Sequence, residues 1–170
     1  MDPLSLVIND DLAEGFYYSR QFDQAVEQVQ KTIELDPNFA GGHFWLALIY
    51  AQMGRSEEAI AEAYKAIDSS GETQNTAMLG QVYALLGKKQ EAHTVIADLT
   101  QQSKRRYVSC SDIARIYAAL GDKEQSFSWL AKAYDERAGW IIYLKVEPIF
   151  DGLRSDHRFT DLLLRMNFQQ

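Results

Sequence analysis

The side chains best suited to chemistry in this chain are three histidines, one cysteine and several adjacent carboxylates. His43, His93 and His157 are never closer than 50 residues in sequence. No HExxH or CxxC spacing is present, so nothing gathers ligands onto one helix face or tight turn as a zinc site requires. Cys110 as a nucleophile would need a histidine beside it to take its proton. The carboxylate pairs Asp10-Asp11 and Glu57-Glu58 could serve as acid and base. At a helix start, however, such pairs are solvated and favoured by the macrodipole. Lys104-Arg105-Arg106 is the only basic run. It reads as cations at a helix C-terminus rather than as a phosphate contact. Gly54, Gly87 and Gly121 stand alone, so there is no glycine-rich phosphate loop. These residues predict no enzyme, no cofactor and no metal.

What must position such residues is visible in a ladder of matched columns. Phe16, Tyr50, Tyr83 and Tyr117 are spaced by 34, 33 and 34 residues, and Ala25, Ala59, Ala92 and Ser126 follow the same steps. A large aliphatic recurs at Leu12, Leu46, Leu79 and Ile113, followed by a small residue at Ala13, Ala47, Gly80 and Ala114. Turn positions fall at Arg20, Gly54, Gly87 and Gly121, and a second small or apolar column at Thr32, Ala66, Leu99 and Ala133. A fixed period of this size marks stacked supersecondary units, and function is then read from the surface. Leu12, Ala13 and Phe16 share one helical stripe, so the columns are helix packing. His43 and Cys110 occupy one packing column, which makes them a satisfied histidine and a buried, inert thiol. Eight helices are predicted at about 5–19, 22–35, 38–53, 56–69, 73–86, 89–103, 108–120 and 123–137. The one-residue shortening belongs in the Asp68-Ser69-Ser70-Gly71 loop, because a deletion inside a helix would rotate later contacts by about 100°. Asp36-Pro37 is predicted to cap and open a helix, and Asp122 with Gln125 to form a capping box.

The pattern of small residue, aromatic, glycine, alanine and proline at this period resembles the tetratricopeptide repeat (TPR). The tryptophan usual in the first turn is replaced by Asn9, His43, Thr76 and Cys110. The resemblance implies an all-α, right-handed α-solenoid of four TPR helix hairpins plus C-terminal capping helices. Repeats are expected at about 6–37, 40–71, 73–104 and 107–138, with 1–138 as the array and 139–170 as a capping segment of one domain. It also implies that the first helix of each hairpin lines a concave groove. The family's groove columns fall on Asp10, Glu14, Tyr17 and Tyr18, then Phe44, Leu48 and Gln52. They continue through Ala77, Gln81 and Leu85 to Ser111 and Arg115. Only Arg115 has the sign of a carboxylate clamp. The expected partner is therefore a protein or peptide with apolar anchors and a basic end, bound without catalysis.

Bulk composition supports that class of partner. The chain has 170 residues, 46 % apolar content and a net charge of -7, which argues against nucleic acid. No apolar run is long enough to span a membrane, and Met1-Asp2-Pro3-Leu4-Ser5-Leu6 lacks the form of a signal peptide. One cysteine fits a reducing compartment, so cytoplasmic residence is expected.

Both ends depart from the ladder. Gly139-Trp140-Ile141-Ile142-Tyr143-Leu144 is too apolar to float in water and should fold back on the last repeat. Pro148 and Asp156 signal a short turn and a final helix, with Phe159, Leu162, Leu163 and Met166 as its apolar stripe. The ending from Leu144 to Asp156 resembles the C-terminal TPR region of bacterial and archaeal multidomain signalling or regulatory proteins. Pro3 sits in the column that closes a repeat, which makes the chain read as the end of a longer array. Leu4, Leu6 and Val7 would then be uncovered. The alternative function is an oligomerising or structural tail that pairs, as a homo-oligomer, through this N-terminal face.

Overall fold

The computed structural model describes residues 5–168. Eight α-helices form four hairpins: α1 (Leu6–Tyr18) with α2 (Phe22–Leu35), and α3 (Ala40–Gln52) with α4 (Ser56–Ser69). They continue with α5 (Thr73–Leu85) and α6 (Lys89–Gln102), then α7 (Cys110–Leu120) and α8 (Lys123–Asp135). Two 3₁₀ segments, Gly139–Tyr143 and Pro148–Leu153, lead into α9 (His157–Arg165). Each helix packs on its hairpin partner, and the first helices α1, α3, α5 and α7 also touch in series. No strand occurs among the described residues, and none of their helices is long and apolar enough to cross a membrane.

The repeated columns are contact points of this stack, except that Leu12 of the first repeat is 45 % exposed where Leu46, Leu79 and Ile113 are buried. Ala25, Ala59, Ala92 and Ser126 are 0 % exposed, as are Thr32, Ala66, Leu99 and Ala133. Small side chains there let paired helices approach closely. Ser126 satisfies its hydroxyl by donating to the Ala114 carbonyl at 3.0 Å. At Gly80 the approach is tightest, since a Cβ would lie 2.6 Å from Ile116 Cδ1 and 2.9 Å from Val95 Cγ1.

Within the hairpins the turn column has a common backbone. Gly54, Gly87 and Gly121 take φ of 75°, 73° and 78°, and Arg20 takes 59° in the first copy. The missing residue lies between α4 and α5, where Ser70, Gly71 and Glu72 form a connection one residue shorter than 36–39. Asn75 secures that shorter loop by donating to the carbonyls of Ala66 at 2.8 Å and Ser70 at 3.1 Å.

One helix start differs from expectation. Asp36 ends α2 in an extended conformation, and α3 begins only at Ala40. A residue before proline is disfavoured in the helical region. Asp36 Oδ1 therefore accepts from the Asn38 N–H at 3.0 Å, closing a turn instead of capping a helix. Asp122 does cap α8, accepting from the Gln125 N–H at 3.1 Å.

The tail packs on the last hairpin and then goes further. Leu144, Ile149, Phe150 and Leu153 are buried with Phe127 and Leu130 in one apolar cluster. In α9, Phe159 and Leu162 are buried in the same cluster, and Leu163 and Met166 pack at its margin. Asp156 accepts from the Arg158 N–H at 3.0 Å, which starts α9. Between the two 3₁₀ segments the chain also reaches back to α1, so the tail spans the first and last repeats.

Candidate functional site

The tail acts as a strap across the first helices, touching α1, α3 and α7. Tyr143 stacks on Tyr18 with centroids 5.1 Å apart, and Trp140 meets Trp45 edge-on at 6.3 Å. The Tyr17 hydroxyl donates to Glu147 Oε1 at 3.0 Å. Arg20 donates to the Val146 carbonyl at 3.1 Å and to Asp151 Oδ1 at 2.6 Å. Its left-handed backbone is costly for a side-chain-bearing residue, but it aims the guanidinium at the strap.

Under the strap lies a buried ionic pair. Arg115 is 2 % exposed and Glu147 3 % exposed. Arg115 Nη2 lies 3.5 Å from Glu147 Oε2, and Nη1 lies 3.8 Å from Asp112 Oδ1. The guanidinium also covers the Trp140 ring at 4.5 Å. Burial pushes the Glu147 carboxyl above its usual range, against the opposing pull of Arg115, the Tyr17 hydroxyl and the Ile149 N–H. Desolvation dominates, as expected for a carboxylate taken out of water.

The groove residues expected from sequence separate accordingly. Tyr17, Leu48, Gln81, Ser111 and Arg115 are at most 2 % exposed and Phe44 is 5 % exposed. Tyr17 is hydrogen-bonded to the strap and Arg115 is ion-paired with it, so both face the chain's own tail. Asp10, Glu14, Tyr18 and Gln52 keep partial exposure. At the N-terminal face Leu6 is half-buried, Val7 is exposed, and Leu4 lies outside the described residues.

What the strap leaves open is a cleft at the N-terminal halves of the first helices. Its main chamber, of about 650 Å³, is lined by Asp10, Asp11 and Glu14 opposite Phe44, Trp45 and Trp140. A second chamber of about 330 Å³ holds Tyr107 and Asp112, and shares Glu72, Gly139 and Trp140 with the first. At the floor α3 approaches α1 closely, and a Cβ at Gly41 would lie 2.9 Å from Asp10 Oδ2.

The electrostatics of the cleft follow from crowding carboxylates into a desolvated space. Asp10 is raised from 3.8 to about 7, first by burial and then by Glu14 and Asp11, while a hydrogen bond from Trp45 opposes the shift. Glu14 is raised by burial, with the nearby Tyr18 hydroxyl pulling the other way. Asp112 is raised to about 6 by burial, offset in part by Arg115. Among the described residues, six buried side-chain atoms lack a hydrogen-bond partner: the acceptors Asp10 Oδ1, Glu14 Oε1 and Asp112 Oδ1, and the Tyr18 hydroxyl, Gln52 Nε2 and Arg115 Nη2, which can donate.

Elsewhere the chemistry-bearing residues serve structure. His43 is buried, with Nδ1 2.5 Å from Glu62 Oε2 and Nε2 2.9 Å from the Pro37 carbonyl. Burial pushes the Cys110 thiol up to about 11, with Glu136 beside it adding to the shift. Such a thiol is a poor nucleophile. The sequence reading did not connect Arg20, Trp140, Tyr143 and Glu147 with the groove. The arginine in a glycine column and the unusually apolar 139–144 segment were the available signals.

Comparison with known proteins accords with this architecture. Family models for the tetratricopeptide repeat match residues 11–74 and 107–138, together more than half of the chain. A solved structure from a functional characterisation of Pseudomonas aeruginosa PilF is similar in fold, with a TM-score of 0.58 and 17 % identity. That similarity covers 97 % of this chain and 78 % of the other. No curated protein gives a match. Tetratricopeptide repeats indicate a protein–protein interaction scaffold. With matching family models, four stacked hairpins and buried small-residue columns, the chain belongs to the tetratricopeptide-repeat family.

Proposed function

We propose that this chain is a non-catalytic scaffold that binds an extended or helical peptide of a partner protein in the open part of its concave groove. The observation that carries this reading is the cleft of about 650 Å³, where aromatic side chains face partly exposed carboxylates. Aromatic walls supply anchor energy, and carboxylates steer and orient a partner. Asp10 and Glu14 are the contact residues at one side and Phe44 and Trp45 at the other. Tyr17, Tyr18 and Arg115 act behind them by seating the strap. Selection of a random-peptide display library on the folded chain tests this. Peptides should enrich on the wild type and bind Glu14→Lys at least about tenfold more weakly. Enrichment that ignores Glu14→Lys places binding elsewhere.

A second reading has its own observation. Val7 remains 62 % exposed on α1, next to half-buried Leu6. Self-pairing through that face predicts a concentration-dependent mass in sedimentation equilibrium that Val7→Lys abolishes and Glu14→Lys does not. A monomer at high concentration sinks it.

A further inference from the structure

We propose that the surface beneath the strap is a second docking site, which the strap fills as an internal ligand until an acidic, aromatic segment of a partner protein displaces it. Its residues are Tyr17, Tyr18, Arg20 and Arg115. None of these four lines the open cleft, so the surface stands apart from the peptide site above.

The strap is held as a bound peptide is held. One acid, Glu147, reaches two donors, Arg115 at 3.5 Å and the Tyr17 hydroxyl at 3.0 Å. Arg20 donates to the Val146 carbonyl at 3.1 Å, a main-chain contact that any residue could supply. Two aromatics, Trp140 and Tyr143, rest against Trp45 and Tyr18. A charged anchor, a main-chain contact and aromatic anchors are how a groove reads an extended segment.

The strap is also lightly fastened for its length. Of residues 142–147 only Leu144 buries an apolar side chain, while Ile142 and Val146 are 59 % and 41 % exposed. Apolar burial is the main force that holds a segment down. Displacement therefore forfeits the burial of Leu144 and contacts that a replacement would remake.

The receptor, finally, is not matched by its present occupant. Arg115 is 2 % exposed, yet its Nη2 has no hydrogen-bond partner. At 3.5 Å from Glu147 and 3.8 Å from Asp112, both of its ion pairs are long. A guanidinium can give a carboxylate two parallel bonds of about 2.7–2.9 Å. Glu147 has one oxygen taken by Tyr17 and is followed by Pro148, whose ring restrains the backbone there. Burial still raises the Glu147 carboxyl against the pull of Arg115 and the Tyr17 hydroxyl. A buried pair repays its desolvation only when its geometry is good. A glutamate or aspartate on a segment free at both ends can close on Arg115 where Glu147 does not. The partner class follows: an extended segment with two aromatics and one acid at the spacing of Trp140, Tyr143 and Glu147.

The probe is a labelled, acetylated and amidated peptide with the sequence of residues 139–147, alongside its Glu147→Gln form. Both are titrated by fluorescence anisotropy into the intact wild type and into the intact Tyr143→Ala/Glu147→Gln chain, whose own strap is loosened. The native-sequence peptide should bind the loosened chain at least about tenfold more tightly than the wild type, whose site is competent only when the strap has left. The Glu147→Gln peptide should bind the loosened chain at least about tenfold more weakly, and adding Arg115→Met should erase that difference. Amide exchange in the wild type gives a second readout that needs no variant. The Leu144, Val146 and Glu147 N–H groups, bonded within the strap, should exchange faster under saturating native-sequence peptide while α5 and α6 stay protected. If the loosened chain does not fold, this exchange decides alone. Equal binding of the two peptides, no gain on loosening, or unchanged strap exchange would overturn the proposal. A wild-type dimer that Glu147→Gln disrupts would give the surface to a second copy and overturn the partner class.

Discussion

Arg20 holds two opposing jobs. Its backbone takes the left-handed turn that glycine supplies in the other three repeats, and its side chain ties the strap at Val146 and Asp151. Arg20→Gly should relieve about 1 kcal/mol of backbone strain and lose a similar amount of hydrogen bonding. Overall stability in urea should therefore change by less than about 1 kcal/mol, while the strap loosens. Asp10 gives a prediction with a definite sign. Its folded pKa is raised, so the stability present below about pH 4 is lost as pH climbs towards 7. Asp10→Asn should accordingly stabilise the fold by about 2 kcal/mol at pH 8 and change little at pH 4, measured by urea melts. For the buried pair, Arg115→Met should cost about 3–5 kcal/mol by leaving Glu147 unpaired. Adding Glu147→Gln should recover part of that loss, and additive effects in the double variant would contradict the pairing. Of these residues only Arg20 was visible in sequence as an exception. Which group it reaches was not visible, because Asp151 lies far along the chain and shares no periodicity with it.

At the level of elements, sequence read the helices well and the strap poorly, for the same physical reason. Each hairpin buries its small columns between its own two helices, and the same contact recurs one period on, so position and spacing record it. Ala59, Ala92 and Ser126 are all fully buried where the ladder places them. The strap contacts α1 through Tyr17–Glu147 and Tyr18–Tyr143, pairs separated by more than a hundred residues. A non-repeating segment leaves one apolar run and no register. The groove reading inherited the same gap: it placed Tyr17 and Arg115 on the concave side but could not show that the tail already occupies them. The strap can be tested as an element. Glu147→Ala should speed amide hydrogen exchange across α1 while leaving α5 and α6 protected. Unchanged exchange in α1 would mean that hairpin packing alone holds that helix.

Across the whole molecule, joining α1 to the tail changes how the stack should respond to stress. An ordinary repeat array transmits stability only between neighbours, so its ends fray first. Here the first repeat is also bonded to the segment that follows the fourth. Chemical denaturation should show one transition by both tryptophan fluorescence and circular dichroism. A variant combining Arg20→Ala, Tyr143→Ala and Glu147→Ala should separate into two, with the N-terminal repeat melting earlier. The same link also bears on copy number. Arrays of this kind can gain or lose a unit because each copy meets only its neighbours. An extra repeat inserted between α2 and α3 would carry Tyr17 and Arg20 beyond the reach of Glu147 and Asp151. The strap thus acts as a gauge of length, fixing the number of units between α1 and the tail where the repeats themselves set no limit.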